Sequence, residues 1–147
     1  MIYLDTSALI KRYIVEKGSN PVRDLLRQEG SAATATVAYA EIYSGLTRRF
    51  REGYVSPKFY AIACHEFEQD WSDYLKIELT RELLVVARDL IQRHPLRSFD
   101  AIHLASALSL MRKLGEGVTI VAADGRLLHA AAAEGLLAVN VEKEREA

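Results

Sequence analysis

The hydrophobic pattern of the chain switches repeatedly between short continuous runs and helical stripes. Residues 2–4 are continuously apolar and read as a strand buried on both faces. Over 7–15 the apolar positions recur at helical spacing, until Gly18 and Pro21 stop the pattern. A second helix is predicted over 22–29, ended by Gly30, and an alanine-rich strand over 32–35. Over 36–52 Tyr39, Ile42, Tyr43, Leu46 and Phe50 form one stripe of a longer helix that Gly53 closes. Ser56 as N-cap and Pro57 at the first helical position open the next helix, in "SPKFYAIACHEFEQDW". Residues 74–80, "YLKIELT", alternate and read as a strand. Thr80 caps the helix "RELLVVARDLIQRH", and Ser98 caps another that runs to Leu114 and stops at Gly115. Residues 118–123 are a second fully apolar strand, 124–134 a helix closed by Gly135, and "LLAVNV" a last strand before the charged tail "EKEREA".

Strands separated by helices imply an α/β fold, with a mostly parallel sheet covered on both faces. The 147 residues fit one domain and show no linker, repeat or low-complexity segment. Half of them are hydrophobic, so a substantial core is available, and the net charge of −1 means that any polyanionic partner must be held by a local patch. The single Cys64 excludes an intrachain disulfide framework and a thiolate metal cluster; within "FYAIACHEF" it reads as a small buried hydrophobe. The N-terminus has no basic stretch ahead of its apolar run, and that run is broken at Asp5, so the chain is expected in the cytoplasm.

The carboxylates change the picture more than the composition does. Most lie among basic neighbours, as Glu16 beside Lys17 or Asp89 beside Arg88. Asp5, however, is the only charge in residues 1–10, and Glu41 the only one in 31–47. Asp100 opens the apolar stretch "DAIHLASALSLM", and Asp124 ends the uncharged run 117–123. A carboxylate in apolar surroundings is costly unless it meets a cation or several donors. Each has a structural reading: Asp5 and Asp124 as helix N-caps, Asp100 as a complement to a helix dipole, Glu41 as a surface residue opposite the stripe of its helix. Glu134 reads as merely exposed. Together the four acids have another reading. Asp5 and Asp124 follow strands, at whose carboxyl ends open parallel sheets bind ligands, and Asp100 starts a helix that can face the same crevice. Acids converging there would repel one another unless a divalent cation joined them, and oxygen donors suit Mg²⁺ or Mn²⁺.

Four segments, "YLDTSALIKRY", "VAYAEIYSGLTRR", "LRSFDAIHLASAL" and "VAADGRLLHAAAAEGL", resemble the motifs of PIN-domain ribonucleases, specifically the VapC-type toxins of toxin–antitoxin pairs. The likeness covers nearly the whole chain, with a PIN-like domain expected over 1–141 and a charged tail over 142–147. It implies a five-stranded sheet in the order 3-2-1-4-5, a homodimer, Mg²⁺- or Mn²⁺-dependent endoribonuclease activity and inhibition by a cognate antitoxin. By this resemblance Asp5, Glu41, Asp100 and Asp124 are the acidic quartet and Ser7 a supporting hydroxyl. Asp5 and Asp100 are then the expected direct metal ligands, with Glu41 and Asp124 as further ligands or holders of coordinated water. The family often has Thr or Ser two residues before the last acid; here that position is Ala122.

RNA would have to be gripped locally. Lys11 and Arg12, then Arg48, Arg49 and Arg51, follow the first two acidic motifs and are expected at the rim of the crevice, with solvated helix faces as the alternative. Tyr13, Tyr39, Tyr43, Phe50 and Tyr54 could stack bases, though packing is their more ordinary use. His103, one turn after Asp100, reads as a helix-packing histidine that could instead reach a phosphate. His65, His94 and His129 lack metal-ligand spacing. Two other classes fit parts of the pattern. A haloacid-dehalogenase-type phosphatase needs a second Asp where Ser7 stands, and a catalytically silent PIN-like binding module would be marked by loss of one of the four acids, all of which are present.

Overall fold

Five short strands lie side by side in the order β3-β2-β1-β4-β5, every neighbouring pair parallel. They are β1 (Ile2–Leu4), β2 (Ala33–Ala35), β3 (Leu75–Ile77), β4 (Thr119–Ala122) and β5 (Leu137–Asn140). Between them run α1 (Thr6–Leu9), α2 (Ser19–Glu29), α3 (Ala38–Arg51), α4 (Pro57–Trp71), α5 (Arg81–Arg93), α6 (Ser98–Leu114) and α7 (Gly125–Ala133). This computed structural model describes residues 1–143. The expected alternation, parallel sheet and strand order are all present. Among the described residues no helix is long and apolar enough to cross a membrane.

Successive strand residues point to opposite faces, which divides the core in two. Tyr3, Ala33, Ala35, Ile120 and Ala122 pack with α5, α6 and α7. Ile2, Leu4 and Val121 pack with α1 to α4 on the other face, around Phe67, Ile42 and Leu46. The chain builds outward from β1 to β2 and β3, then returns to lay β4 along the opposite side of β1, with Leu4 in register with Val121. Connections therefore leave β1 and β4 in opposite directions, and a crevice opens beyond their carboxyl ends. Asp5 and Asp124 stand there: the Asp5 amide extends the β1–β4 ladder to the Val121 carbonyl, and Asp124 follows β4 by two residues.

Several local expectations are corrected. The helix predicted over 7–15 is only α1, followed by a 3₁₀ turn at Ile10–Arg12. It stops because Tyr13 turns inward, packing its ring edge against Phe67 and donating its hydroxyl to Asp70. The strand predicted over 74–80 shortens to β3, an edge strand paired only with β2. Ser56 and Thr80 cap their helices as expected, accepting from the Phe59 and Leu83 amides, whereas Arg97 holds the N-cap position of α6 and Ser98 is its first residue. Glu134 is not merely exposed but pairs with Arg93. Cys64 is half-buried rather than buried. The tail begins in an ordered contact, since Glu142 meets Lys11, while 144–147 lie outside the described residues.

Candidate active site

Asp5 caps α1. Its backbone leaves β1 extended, and its Oδ1 accepts from the Ala8 amide at 3.1 Å and the Ser7 hydroxyl at 2.7 Å. Ser7 Oγ in turn accepts from the Ala123 amide at 2.9 Å, which ties the first turn of α1 to the end of β4. Asp5 is 4% exposed, and no lysine or arginine pairs with it among the described residues. Burial pushes its carboxyl up to about 6; the nearby Asp100 carboxylate adds to this, while His103, the Ser7 hydroxyl and the Ala8 amide pull the other way. A buried acid held in this way is a group in want of a cation.

Asp124 caps α7, accepting from the Arg126 and Leu127 amides at 3.0 and 3.4 Å. Asp100 lies in the first turn of α6. The exposed Arg97 side chain reaches both, 3.4 Å from Asp100 and 3.8 Å from Asp124. Its guanidinium thus supplies positive charge between two of the four acids. The N-cap readings of Asp5 and Asp124 therefore hold, and capping spends one oxygen of Asp124 and leaves Oδ2 facing Arg97.

Glu41 is not a surface residue. The face of α3 opposite its apolar stripe turns toward α1 and α6, where Glu41 Oε1 accepts from the Thr6 hydroxyl at 2.8 Å and meets His103 Nε2 at 2.7 Å. Burial pushes the Glu41 carboxyl up, but the hydrogen bond and charge of His103 and the Thr6 hydroxyl more than offset this and hold it below the usual range. His103 is 2% exposed, and its Nδ1 lies 2.7 Å from the Tyr3 hydroxyl. Thr6 and Tyr3 carry no site signal in the sequence, and His103, read there as a packing residue or a phosphate contact, instead meets Glu41; a chemical contact between α6 and α3 lies beyond any periodicity within either helix.

The crevice has a volume of about 790 Å³ and is lined by Thr6, Ser7, Glu41 and Asp124, with Arg48 and Phe99 among the residues at its sides. Of the five basic residues expected at its rim, three are engaged by acids. Lys11 reaches the crevice, but it is buried and its ammonium is held by Glu16 at 3.0 Å and Glu142 at 2.9 Å. Arg12 does not line the crevice and points instead toward Glu66 and Asp70 on α4. Arg49 lines it while paired with Glu16 through both Nε and Nη2. Burial raises the Glu16 carboxyl, yet the bonds from Arg49 and Lys11 outweigh burial and keep it below its usual range. Arg48 lines the crevice and Arg51 the adjoining hollow, and neither pairs with an acid among the described residues. Phe99 is the aromatic at the crevice, and it is exposed. Tyr39 and Tyr43 cluster with Phe67 and both donate to Glu68, Phe50 stacks on Tyr60, and Tyr54 is exposed elsewhere.

A family model described as PIN domain matches residues 2–133. The chain belongs to the PIN-domain family. Within it, the chain is 32% identical to Ribonuclease VapC49 of Mycobacterium tuberculosis over 132 residues, 90% of this chain and 89% of that one. It is 35% identical to Ribonuclease VapC47 of the same organism, over 87% of this chain and 88% of that one. The PIN fold is seen again in FitAcB from Neisseria gonorrhoeae, with a TM-score of 0.67, 14% identity and coverage of 96% and 98%. It is seen also in VapBC2 from Rickettsia felis bound to a DNA fragment from their promoter, with a TM-score of 0.64, 16% identity and coverage of 95% and 98%.

The donor set of this PIN crevice is all oxygen apart from His103, whose two nitrogens already have partners, so it suits a hard cation rather than zinc. Among the described residues no three His, Cys, Asp or Glu side chains are drawn together around one point. Asp5 is buried with no lysine or arginine partner among the described residues, and the Arg97 guanidinium stands between Asp100 and Asp124.

Proposed function

We propose that this PIN domain is a metal-dependent endoribonuclease and the toxin of a toxin–antitoxin pair, with the crevice at the β1–β4 switch point as its active site. The observation that carries the reading is Asp5: a buried carboxylate, raised to about 6, beside a second acid, at the carboxyl ends of two adjacent parallel strands. The relatives named Ribonuclease VapC, similar over nine-tenths of the chain, support the reaction class. The oxygen donors of these acids would hold a Mg²⁺ or Mn²⁺ ion, which would supply acidification of water and offset the negative charge that builds on a phosphodiester under attack. Asp5 and Asp100 are the direct ligands in this reading, and Glu41 and Asp124 hold the remaining positions or orient water. Ser7 holds the Asp5 carboxylate through its hydroxyl, 2.7 and 2.9 Å from the two oxygens.

The RNA chain follows α3 in this reading. Arg48 and Arg51 lie seven and ten residues after Glu41, on the same face of the helix, and meet phosphates that leave the crevice. Phe99 offers a stacking surface at the site itself. The VapC relatives and the VapBC2 assembly favour a cognate antitoxin as protein partner. The exposed apolar residues Leu79, between β3 and α5, and Leu84, Val85 and Ile91 on α5 favour a homodimer.

The test is incubation of the purified protein with total RNA in Mg²⁺ and in EDTA, beside Asp100→Asn. Cleavage in Mg²⁺ alone, lost in the folded variant, supports the reading. Cleavage that persists in EDTA, or in Asp100→Asn, refutes it.

A further inference from the structure

Glu41 is held from behind by a buried pair, His103 and Tyr3. Glu41 Oε1 receives the Thr6 hydroxyl and lies 2.7 Å from His103 Nε2, while no hydrogen bond reaches Oε2 among the described residues. A carboxylate can only accept, so the hydrogen between Glu41 and His103 belongs to Nε2. The other ring nitrogen, Nδ1, is taken by the Tyr3 hydroxyl at 2.7 Å. The imidazole also packs its edge against the Tyr3 ring, with centroids 5.9 Å apart and planes inclined at 67°. With both nitrogens engaged and the ring 2% exposed, His103 has one orientation, since a flip would break both bonds. Tyr3 itself is fully buried on β1, so the brace rests on the central strand of the sheet.

We propose that His103, backed by Tyr3, is a positioning residue that fixes one oxygen of Glu41 and leaves the other free to serve a cation in the crevice. The inference rests on the metal-dependent reading of that crevice given above. It also explains why Asp100 and His103 sit one turn apart on α6. Asp100 stands in the first turn of α6, and the same helix aligns Glu41 of α3 through His103, so one helix bears on two of the four acids. Hydrogen bonds of this kind behind a metal-ligating group orient it, and their removal typically weakens metal binding or activity about 10- to 100-fold.

The test uses the full chain and Mn²⁺, with binding read as the shift in thermal unfolding against metal concentration. RNA cleavage by the same proteins supplies kcat and KM. His103→Leu removes the donor, Tyr3→Phe removes only the hydroxyl behind it, and His103→Gln places an amide N–H near the position of Nε2. The expected result is Mn²⁺ binding weakened about 10- to 100-fold in His103→Leu. Tyr3→Phe should weaken it less, His103→Gln should regain much of the loss, and kcat should fall while KM for RNA stays the same. Tyr3→Phe changes the packing least and carries the test if His103→Leu does not fold. Wild-type Mn²⁺ affinity in a folded His103→Leu, or in Tyr3→Phe if the first is unfolded, overturns the proposal. Glu41→Gln separates the two levels. If it weakens Mn²⁺ binding and the His103 and Tyr3 variants do not, only the positioning role falls; if it does not, the role of Glu41 in the site falls with it.

Discussion

Ser7 joins Asp5 to the end of β4: one hydroxyl donates to the Asp5 carboxylate at 2.7 Å and accepts from the Ala123 amide at 2.9 Å. The two bonds close the β1 and β4 strand ends around the candidate metal position. Ser7→Ala leaves the Ala123 amide without its partner and removes a donor that holds the Asp5 carboxyl down. The variant should lose about 1–2 kcal/mol in urea unfolding without a change in the slope of the transition. The carboxyl of Asp5 should rise further in the variant. Unchanged stability would mean that the two strand ends do not depend on this hydroxyl.

Lys11 should behave as a structural cation. Its ammonium is buried between Glu16 and Glu142, and a Cβ placed at Gly18, where φ is +91°, would come within 2.9 Å of its Cδ. Lys11→Met keeps the stem and removes the charge. It should destabilise the protein by about 1–3 kcal/mol, less than a fully buried pair because both acids remain partly exposed. Glu16 sits below its usual range, so its contribution is present above the unfolded carboxyl value, near 4.5, and is lost as the pH falls through the lower folded value. The stability difference between wild type and Lys11→Met should therefore shrink in acid. A difference that stays constant down to low pH would place the effect in packing alone.

Arg48 and Arg49 are neighbours in sequence with different duties. Arg49 is held bidentately by Glu16, whereas Arg48 lines the crevice free of any acid among the described residues. Arg48→Ala should weaken RNA binding and reduce the slope of log affinity against log salt by about 1, with unfolding unchanged. Arg49→Ala should chiefly lower stability. Equal salt slopes for Arg48→Ala and wild type would take Arg48 off the RNA path.

The legible and the illegible parts of this site differ for physical reasons. Asp5 and Asp124 stand out in the sequence because each ends an apolar strand, where a lone charge has no local explanation, and the strand alternation carries them to the switch point. Glu41 is marked by the same isolation but misplaced by the periodicity of α3. A stripe shows which face meets the core, and cannot show that the opposite face meets α1 and α6 instead of water. His103 is hidden because α6 buries nearly every side chain from Ala101 to Leu110, which leaves no polar face to give a direction. Lys11 and Arg12 follow Asp5 in sequence, but the early end of α1 turns them toward Glu142 and α4.

Whether Asp5 shares a cation is read from thermal unfolding of wild type and Asp5→Asn in Mn²⁺ and in EDTA. Asparagine caps a helix as well as aspartate, so the variant keeps its N-terminal turn. Burial raises the Asp5 carboxyl from an ordinary 3.8 to about 6, so the folded metal-free protein takes up this proton more readily than the unfolded chain. Its stability then falls as the pH rises from about 4 to about 6, and above 6 the full cost, at most about 3 kcal/mol, is in place. At neutral pH in EDTA, Asp5→Asn should be as stable as wild type or more so, and it should lose that pH dependence. In Mn²⁺ at a hundredfold excess over Kd, wild type should gain about 2.7 kcal/mol, and the variant little of it. If Asp5→Asn instead destabilises the metal-free protein by about 1 kcal/mol or more and keeps the Mn²⁺ shift, Asp5 is a helix cap and nothing more.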